Sequence, residues 1–282
     1  MEVLKSRKIL QDFIERQREM GKRIGFAPTM GALHDGHLSL YKEARKDNDL
    51  VISSIFVNPT QFNNQEDLVK YPRDTERDIN ILKNSGLVDA VYIPEVSDIY
   101  PEQAKSKSYD FGGLENEMEG KSRPGHFDGV GTVVEELFRQ VKPDCAYFGE
   151  KDFQQLAIIK KMVEMQNLPV KIVGVPTYRA ENGLALSSRN QRLPEARREA
   201  SKVIYQTLKK VQTWFKEDSY EIIKHKVKDI FDDQQNMQLE YFLIADEKNL
   251  KEAEFFYADR DYRAFIVVVV DGVRLIDNLP MK

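Results

Sequence analysis

Cysteine occurs once, at Cys145, so the chain can form neither an intramolecular disulfide nor a cysteine-rich zinc site, and it suits a reducing compartment. Cys145 opens the apolar run CAYF and reads as a small buried residue. Long apolar runs are also missing. The longest, AFIVVVV at 264–270, is far short of the ~20 residues a membrane helix needs. The opening stretch MEVLKSRKILQDFIERQREMGKR lacks the apolar core of a signal peptide, and its acids argue against a transit peptide. A cytoplasmic chain is expected. Neither charge sign dominates: 42 Lys and Arg stand against 46 Asp and Glu, net −4, which provides no field to attract nucleic acid or an anionic membrane. Histidine is scarce too, with four in all. His225 lies on a lysine-rich helix and reads as surface. His34 and His37 crowd into TMGALHDGHL.

What is present is a regular alternation. Val3, Leu10, Phe13 and Ile14 sit near helical spacing and predict a first helix ending about Gly21. RIGFAPT reads as a short buried strand stopped by Pro28. HLSLYKEARKDN is helical, and the β-branched LVISSIFVN reads as a strand covered on both faces. A helix over 74–85 and the strand DAVYIP follow. In GVGTVVEELFRQV, Val130, Val133, Val134, Leu137, Phe138 and Val141 fall on one helical face. DCAYFG, FQQLAIIKKMVEMQN and VKIVGVP then read as strand, helix and strand. Residues 1–176 are thus expected to be α/β, a Rossmann-like doubly wound parallel sheet of right-handed βαβ units, with ligands beyond the carboxyl ends of its strands. After Pro176 come a loop with AENGLALSSRN, a long charged helix from about Pro194-Glu195 and a helix over 220–231. The strands LEYFLIAD and AFIVVVVDGVRLIDN follow, the latter turning at Asp271-Gly272. Residues 177–282 are expected to form a smaller α+β lid domain.

On this map Met30, Gly31, Ala32, Leu33, His34, Asp35 and Gly36 follow the first strand, and a helix begins near Gly36 or His37. Free amides at a helix N-terminus favour phosphate, and His34 and His37 can face one ligand. A loop with a capping histidine is the plainer alternative. Zinc is a further one, although the spacing is not that of HExxH and no third ligand is adjacent. EGKS at 119–122 resembles the end of a phosphate loop, but Glu115 stands where its first glycine belongs. GVGTVV lacks the third glycine of a dinucleotide fingerprint. Gly149, Glu150, Lys151 and Asp152 end the strand at 145–148 on the same sheet edge as the histidines. There Lys151 can meet phosphate and Asp152 can accept from ribose hydroxyls, unless the segment is only a solvated turn. Ser187, Ser188 and Arg189 offer hydroxyls and a cation in a loop that could close on a polyphosphate, or merely form a polar cap. Polar loops carry Asn58, Gln61, Tyr71 and Arg73, and Glu117, Glu119, Arg123 and His126. Neutral amides such as Gln61 and Gln155 suit a small hydroxylated substrate.

Together PTMGALHDGHLSL, FVNPTQF, YPR, RPGHFDGVGTVV, FGEKDFQQL and GVPTYRAENGLALSSRN resemble the pantoate–β-alanine ligase family, in its order and spacing, over essentially the whole chain. HxGH alone would indicate only the wider nucleotidyltransferase superfamily. The resemblance implies attack of pantoate on the α-phosphate of ATP, then attack of β-alanine on the pantoyl adenylate. Mg²⁺ would be bound mainly through the ATP phosphates, with no metal site in the protein. It implies that His34 and His37 contact phosphate, with His37 the proton donor, and that Lys151 and Arg189 neutralise phosphate charge. Ser187 and Ser188 match the closing loop, Gly149 and Asp152 the ribose side, and Tyr178 a backbone contact to the nucleotide. Gln61 and Gln155 match the pair holding pantoate, with Met30, Asn58 and His126 placed on the substrate side. Leu186 replaces the family's usual methionine, a nearly volume-conserving change. A homodimer built through the N-terminal domain is also implied. An adenylyltransferase without ligation, or a silent nucleotide-binding module, are the competing readings.

Overall fold

Residues 1–62 and 65–282 are described by the structure, a computed structural model, and the chain divides into two units. The first comprises Met1–Glu150 and Gln154–Pro176. Its strands β1 (Glu2–Leu4), β2 (Ile24–Thr29), β3 (Leu50–Ile55), β4 (Ala90–Tyr92), β5 (Cys145–Gly149) and β6 (Lys171–Val175) form a parallel sheet ordered β1-β4-β3-β2-β5-β6. Between them run α1 (Arg7–Glu19), α2 (Asp35–Asp47), α3 (Gln65–Lys70), α4 (Thr75–Ser85), α5 (Val96–Ile99), α6 (Met118–Ser122), α7 (His126–Val141) and α8 (Phe153–Met165). The doubly wound α/β class expected from the alternation is the class observed.

Side chains alternate across a strand, so a strand between two helical layers must be apolar at nearly every position. Ile24, Phe26, Leu50, Ile52, Ala146 and Phe148 join one core with Leu10 and Phe13 of α1 and Val134 and Leu137 of α7. Their neighbours Ala27, Val51, Ile55, Cys145 and Tyr147 join the other, with Leu40 and Tyr41 of α2 and Leu82 of α4. Cys145 is buried as expected, with the Arg23 guanidinium donating to its Sγ at 3.0 Å.

Three local expectations need correction. Val3 belongs to β1, paired with Val91, and α1 begins only after Ser6, whose Oγ accepts from the Ile9 amide. Pro28 does not stop β2. The β2–β5 pairing ends at Phe26 while β2–β3 pairing runs on to Thr29, so the proline sits where the strand is paired on one side only. The helix α7 is buried well beyond its predicted face. The segment after Tyr100 covers it: Lys107 N donates to Thr132 Oγ1, Tyr109 N to Asp128 Oδ1 and Tyr109 OH to Glu135 Oε2. Burial pushes the Glu135 carboxyl up, but hydrogen bonds from Tyr109, Lys107 and Arg139 outweigh this and hold it below the ordinary value.

The second unit comprises Lys151–Phe153 and Thr177–Lys282. Helices α9 (Glu195–Ala200), α10 (Lys202–Trp214) and α11 (Tyr220–Asp232) precede an antiparallel sheet of β7 (Met237–Asp246), β8 (Tyr262–Val270) and β9 (Val273–Met281). The single long helix expected from Pro194 is broken at buried Ser201, whose Oγ donates to the Arg197 carbonyl. Asp271 and Gly272, with φ of 45° and 76°, form the hairpin turn, which requires two left-handed residues. Ile204, Leu208, Ile223, Val227, Ile266 and Val268 pack as this unit's core. Lys151–Phe153, read from the sequence as part of 1–176, groups with this unit instead. Asn278 Nδ2 donates to the Lys151 carbonyl at 2.8 Å, and the Arg263 guanidinium lies 3.9 Å above the Phe153 ring. Among the described residues no helix is long and apolar enough to cross a membrane.

Candidate active site

β2 is central, and its register sets where the predicted residues lie. Thr29 pairs with Ile55, and Gly25 with Cys145, so Thr29, Ile55 and Gly149 end at one level of the sheet. The chain leaves β2 for β3 on one side and reaches β5 on the other. This reversal is the switch point at which open α/β sheets bind ligands.

Beyond Thr29 the backbone turns sharply through Gly31 and Ala32, with φ of 80° and 51°. His34 is the N-cap of α2: its Nδ1 accepts from Gly36 N at 3.1 Å, while His37 Nδ1 accepts from His34 N at 3.2 Å. Two imidazoles here fill the places of a capping box. A nitrogen that accepts an amide proton carries none itself, so the neutral rings hold their proton on Nε2. The ring centroids are 4.1 Å apart, and both side chains are half-buried. Capping and function were alternatives in the sequence. In the structure the cap is what orients both rings.

Most of the amides expected to be free are already taken. Gly31 N donates to Thr29 Oγ1, and Ala32 N and Leu33 N each donate to Asp78 at 2.8 Å. His34 N, Gly36 N and His37 N are likewise used within the turn. These amides are therefore already satisfied within the protein, and what the turn leaves to a ligand is the imidazole edges. Asp35 is exposed at the start of α2, and Met30 is half-buried.

After β3 a tight 3₁₀ turn, Pro59–Gln61, carries Gln61. Buried Asn58 accepts from Thr60 N and from Tyr100 OH, and its Nδ2 donates to the Gly129 carbonyl at 3.1 Å. Burial raises the Tyr100 phenol, although its bonds to Thr60 and Asn58 oppose this, and it stays a neutral donor. His126 Nδ1 lies 2.9 Å from the Gln61 carbonyl. Asn58 and His126, expected on the substrate side, thus hold the turn that presents Gln61. Tyr71 stacks edge-on against Phe62 and Arg73 donates to the Leu68 carbonyl, so both shape this loop. Glu119 offers its amide to Gln154 Oε1, and Arg123 lies against His126.

After β5, Gly149 leaves open space above its Cα, and the Glu150 carboxyl lies beside Gly174. Gln154 is buried and bonded to Leu114, Glu117 and Glu119. Its neighbour Gln155, half-buried, makes no side-chain hydrogen bond to another described residue.

In the second unit Lys151 Nζ lies 3.4 Å from the Asp152 carboxylate. Arg179 pairs with Asp277 at 2.6 and 2.9 Å and reaches the Gly183 carbonyl, holding the loop that ends in Arg189. Burial pushes the Asp277 carboxyl up against the opposing pull of Arg179. Ser187 Oγ accepts from Arg189 N as the cap of a 3₁₀ turn over Ser188–Arg192, and Ser188 is buried. The Tyr178 carbonyl accepts from Leu186 N, and its ring is exposed. His225 is exposed on α11.

Among the described residues no three His, Cys, Asp or Glu side chains are grouped to hold a metal ion. Sequence reasoning missed Asp78, Gly129 and Asp277. Asp78 left a signal: it stands one turn before buried Leu82 on the inner stripe of α4, where a carboxylate must have partners. Gly129 and Asp277 left none.

A doubly wound parallel sheet with an HxGH turn capping the helix after its central strand defines a nucleotide-binding α/β protein of the nucleotidyltransferase kind. A family model described as pantoate-beta-alanine ligase matches residues 2–280, and the chain belongs to that family. It is 48% identical over 282 residues to a pantothenate synthetase of Christiangramia forsetii, covering all of both chains. The crystal structure of pantothenate synthetase from Thermus thermophilus matches with a TM-score of 0.91 at 38% identity, covering 100% of this chain and 99% of that one. A Francisella tularensis pantoate-beta-alanine ligase, solved with beta-gamma ATP and β-alanine, matches with a TM-score of 0.80 at 36% identity, covering 100% and 98%.

Proposed function

We propose that this chain ligates pantoate and β-alanine to pantothenate in two ATP-dependent steps. A pantoate carboxylate oxygen attacks the α-phosphorus of ATP, and the bond to the bridging oxygen breaks as pyrophosphate leaves. The β-alanine amine then attacks the acyl carbon of the adenylate, loses its proton, and AMP departs.

The observation that carries this reading is the His34–His37 cap. With both Nδ1 atoms occupied by amides, the Nε2–H edges are fixed donors toward a phosphate, and they need no reorganisation as charge develops. His37 donates to the leaving phosphate oxygen. Lys151 and Arg189 neutralise the polyphosphate charge, and Ser187, Ser188, Leu186 and the Tyr178 backbone line the nucleotide. Gly149, Glu150 and Asp152 take the ribose side. Gln61 and Gln155 hold pantoate by directional hydrogen bonds, with Met30 beside them. Imidazole N–H donors with Lys151 and Arg189 suit a polyphosphate rather than a bare cation, so Mg²⁺ would come with the ATP phosphates and offset their charge there. The chain works in the cytoplasm as a homodimer through its first unit, a state checked by sedimentation.

The test is AMP release by the purified protein with Mg-ATP and pantoate, with and without β-alanine. AMP formed only with all three substrates is the expected result. Pyrophosphate release without β-alanine-dependent AMP would leave an adenylyltransferase, and no turnover would leave a binding module.

A further inference from the structure

The strand-end turn that carries the two histidines rests on a carboxylate from a distant helix. Asp78 lies in the first turn of α4 after its N-cap Asp74, and it is 1% exposed. Its Oδ2 accepts from Ala32 N and its Oδ1 from Leu33 N, both at 2.8 Å. Gly31 and Ala32 are consecutive left-handed residues, a conformation that aims successive amides into one concavity and makes an anion nest. The protein fills this nest with its own anion. The first turn of α4 favours negative charge there, and Arg77 lies 3.8 Å from the same carboxylate while also reaching the Leu33 carbonyl. The fit leaves no slack, because a Cβ on Gly31 would stand 2.8 Å from Asp78 Oδ2. The next residue after Leu33 is the N-cap His34.

We propose that Asp78 is a positioning residue for the histidine turn: its carboxylate, seated in the Ala32–Leu33 nest, fixes the backbone from which His34 and His37 project. The role rests on the ligase reading only for what the histidines do; the brace itself is independent of it. The Asp78 carboxylate bonds the backbone amides of Ala32 and Leu33. It acts by holding the Leu33 peptide, and hence the His34 amide that His37 Nδ1 accepts from. An asparagine has the same shape but presents an NH₂ to one of the two amides, so one loop donor loses its partner and the turn shifts.

Asp78→Asn is compared with wild type for adenylate formation and thermal stability, and by ¹⁵N NMR of the imidazoles. The expected result is a fall in kcat for adenylate formation of about 100-fold in a protein still folded at the assay temperature. KM for β-alanine should stay within about twofold, and the Nε2–H signature of His34 and His37 should be lost. Gly31→Ala, which crowds the same contact from the other side, should reproduce it. A folded Asp78→Asn protein with wild-type kcat and unchanged imidazole signals overturns the proposal. Hydrogen exchange on the wild-type protein decides the matter if the variants do not fold: the Ala32 and Leu33 amides should be protected as strongly as those of β2, and fast exchange there overturns the brace. A wild-type protein that forms no AMP would remove the ligase reading and leave both NMR tests of the brace standing.

Discussion

Gly129→Ala is a one-carbon change whose consequence can be worked from the structure. Gly129 lies in the first turn of α7, and a Cβ there would stand 2.5 Å from the Thr60 carbonyl oxygen and 2.9 Å from Gln61 Cα. These are backbone atoms and cannot rotate away. Bringing the first contact out to the 3.4 Å of ordinary van der Waals approach moves the Pro59–Gln61 turn by about 0.9 Å. Alanine gains ~1 kcal/mol of helix propensity. Against this stand overpacking, about 1–3 kcal/mol, and a weakened Asn58 Nδ2 bond to the Gly129 carbonyl, ~1 kcal/mol. The net loss is about 1–3 kcal/mol, small beside the functional effect. A displacement of ~1 Å at a positioned group costs about 100-fold, and here the displaced group is Gln61. Steady-state kinetics should show kcat/KM for pantoate falling about 100-fold while KM for ATP holds, because the histidine turn hangs on Asp78 and not on α7. Gly131→Ala is the control. Its Cβ would meet the rings of Tyr109 and Phe111 at 3.1 Å, side chains that can give. Unchanged pantoate kinetics in Gly129→Ala, with unchanged stability, would refute the reasoning.

His37→Ala should slow adenylate formation about 10²–10⁴-fold, the range of a lost general acid, while circular dichroism stays native, since the ring is only half-buried. The adjacent glutamines should separate cleanly. Gln154→Ala strips partners from three backbone groups and should cost about 2–3 kcal/mol in urea unfolding. Gln155→Ala should leave stability alone and raise KM for pantoate more than KM for ATP. Glu135 titrates below its ordinary value near 4.5 in the fold, so its ionised form stabilises the protein above that pH and the contribution is lost as pH falls through the folded value. Glu135→Gln should therefore be about 1–2 kcal/mol less stable than wild type at neutral pH, Lys107 and Arg139 being half exposed and screened. The gap should close in acid; one that widens would reverse the assigned shift.

Legibility followed the range of the interaction. Strands such as LVISSI and the amphipathic face of α7 are written in neighbouring residues, because a side chain's face depends only on its spacing along the chain. The HxGH turn was legible for the same reason: His34, Gly36 and His37 satisfy one another within four residues. The Ala32 and Leu33 amides beside them are not free, and spacing along the chain could not show it, because their partner, Asp78, is 45 residues from Leu33. The broken helix at Ser201 depended on burial of one hydroxyl, and the placement of Lys151–Phe153 on Asn278, 127 residues away.

The sequence by itself determined the doubly wound class, the family and the HxGH cap, since each is carried by local spacing and chemistry. Tertiary structure decided which amides are already occupied, which glycines touch backbone and which of two adjacent glutamines is spoken for. Those facts depend on groups that only the fold brings within 3 Å, and a buried donor or acceptor must find its partner wherever the chain happens to supply it.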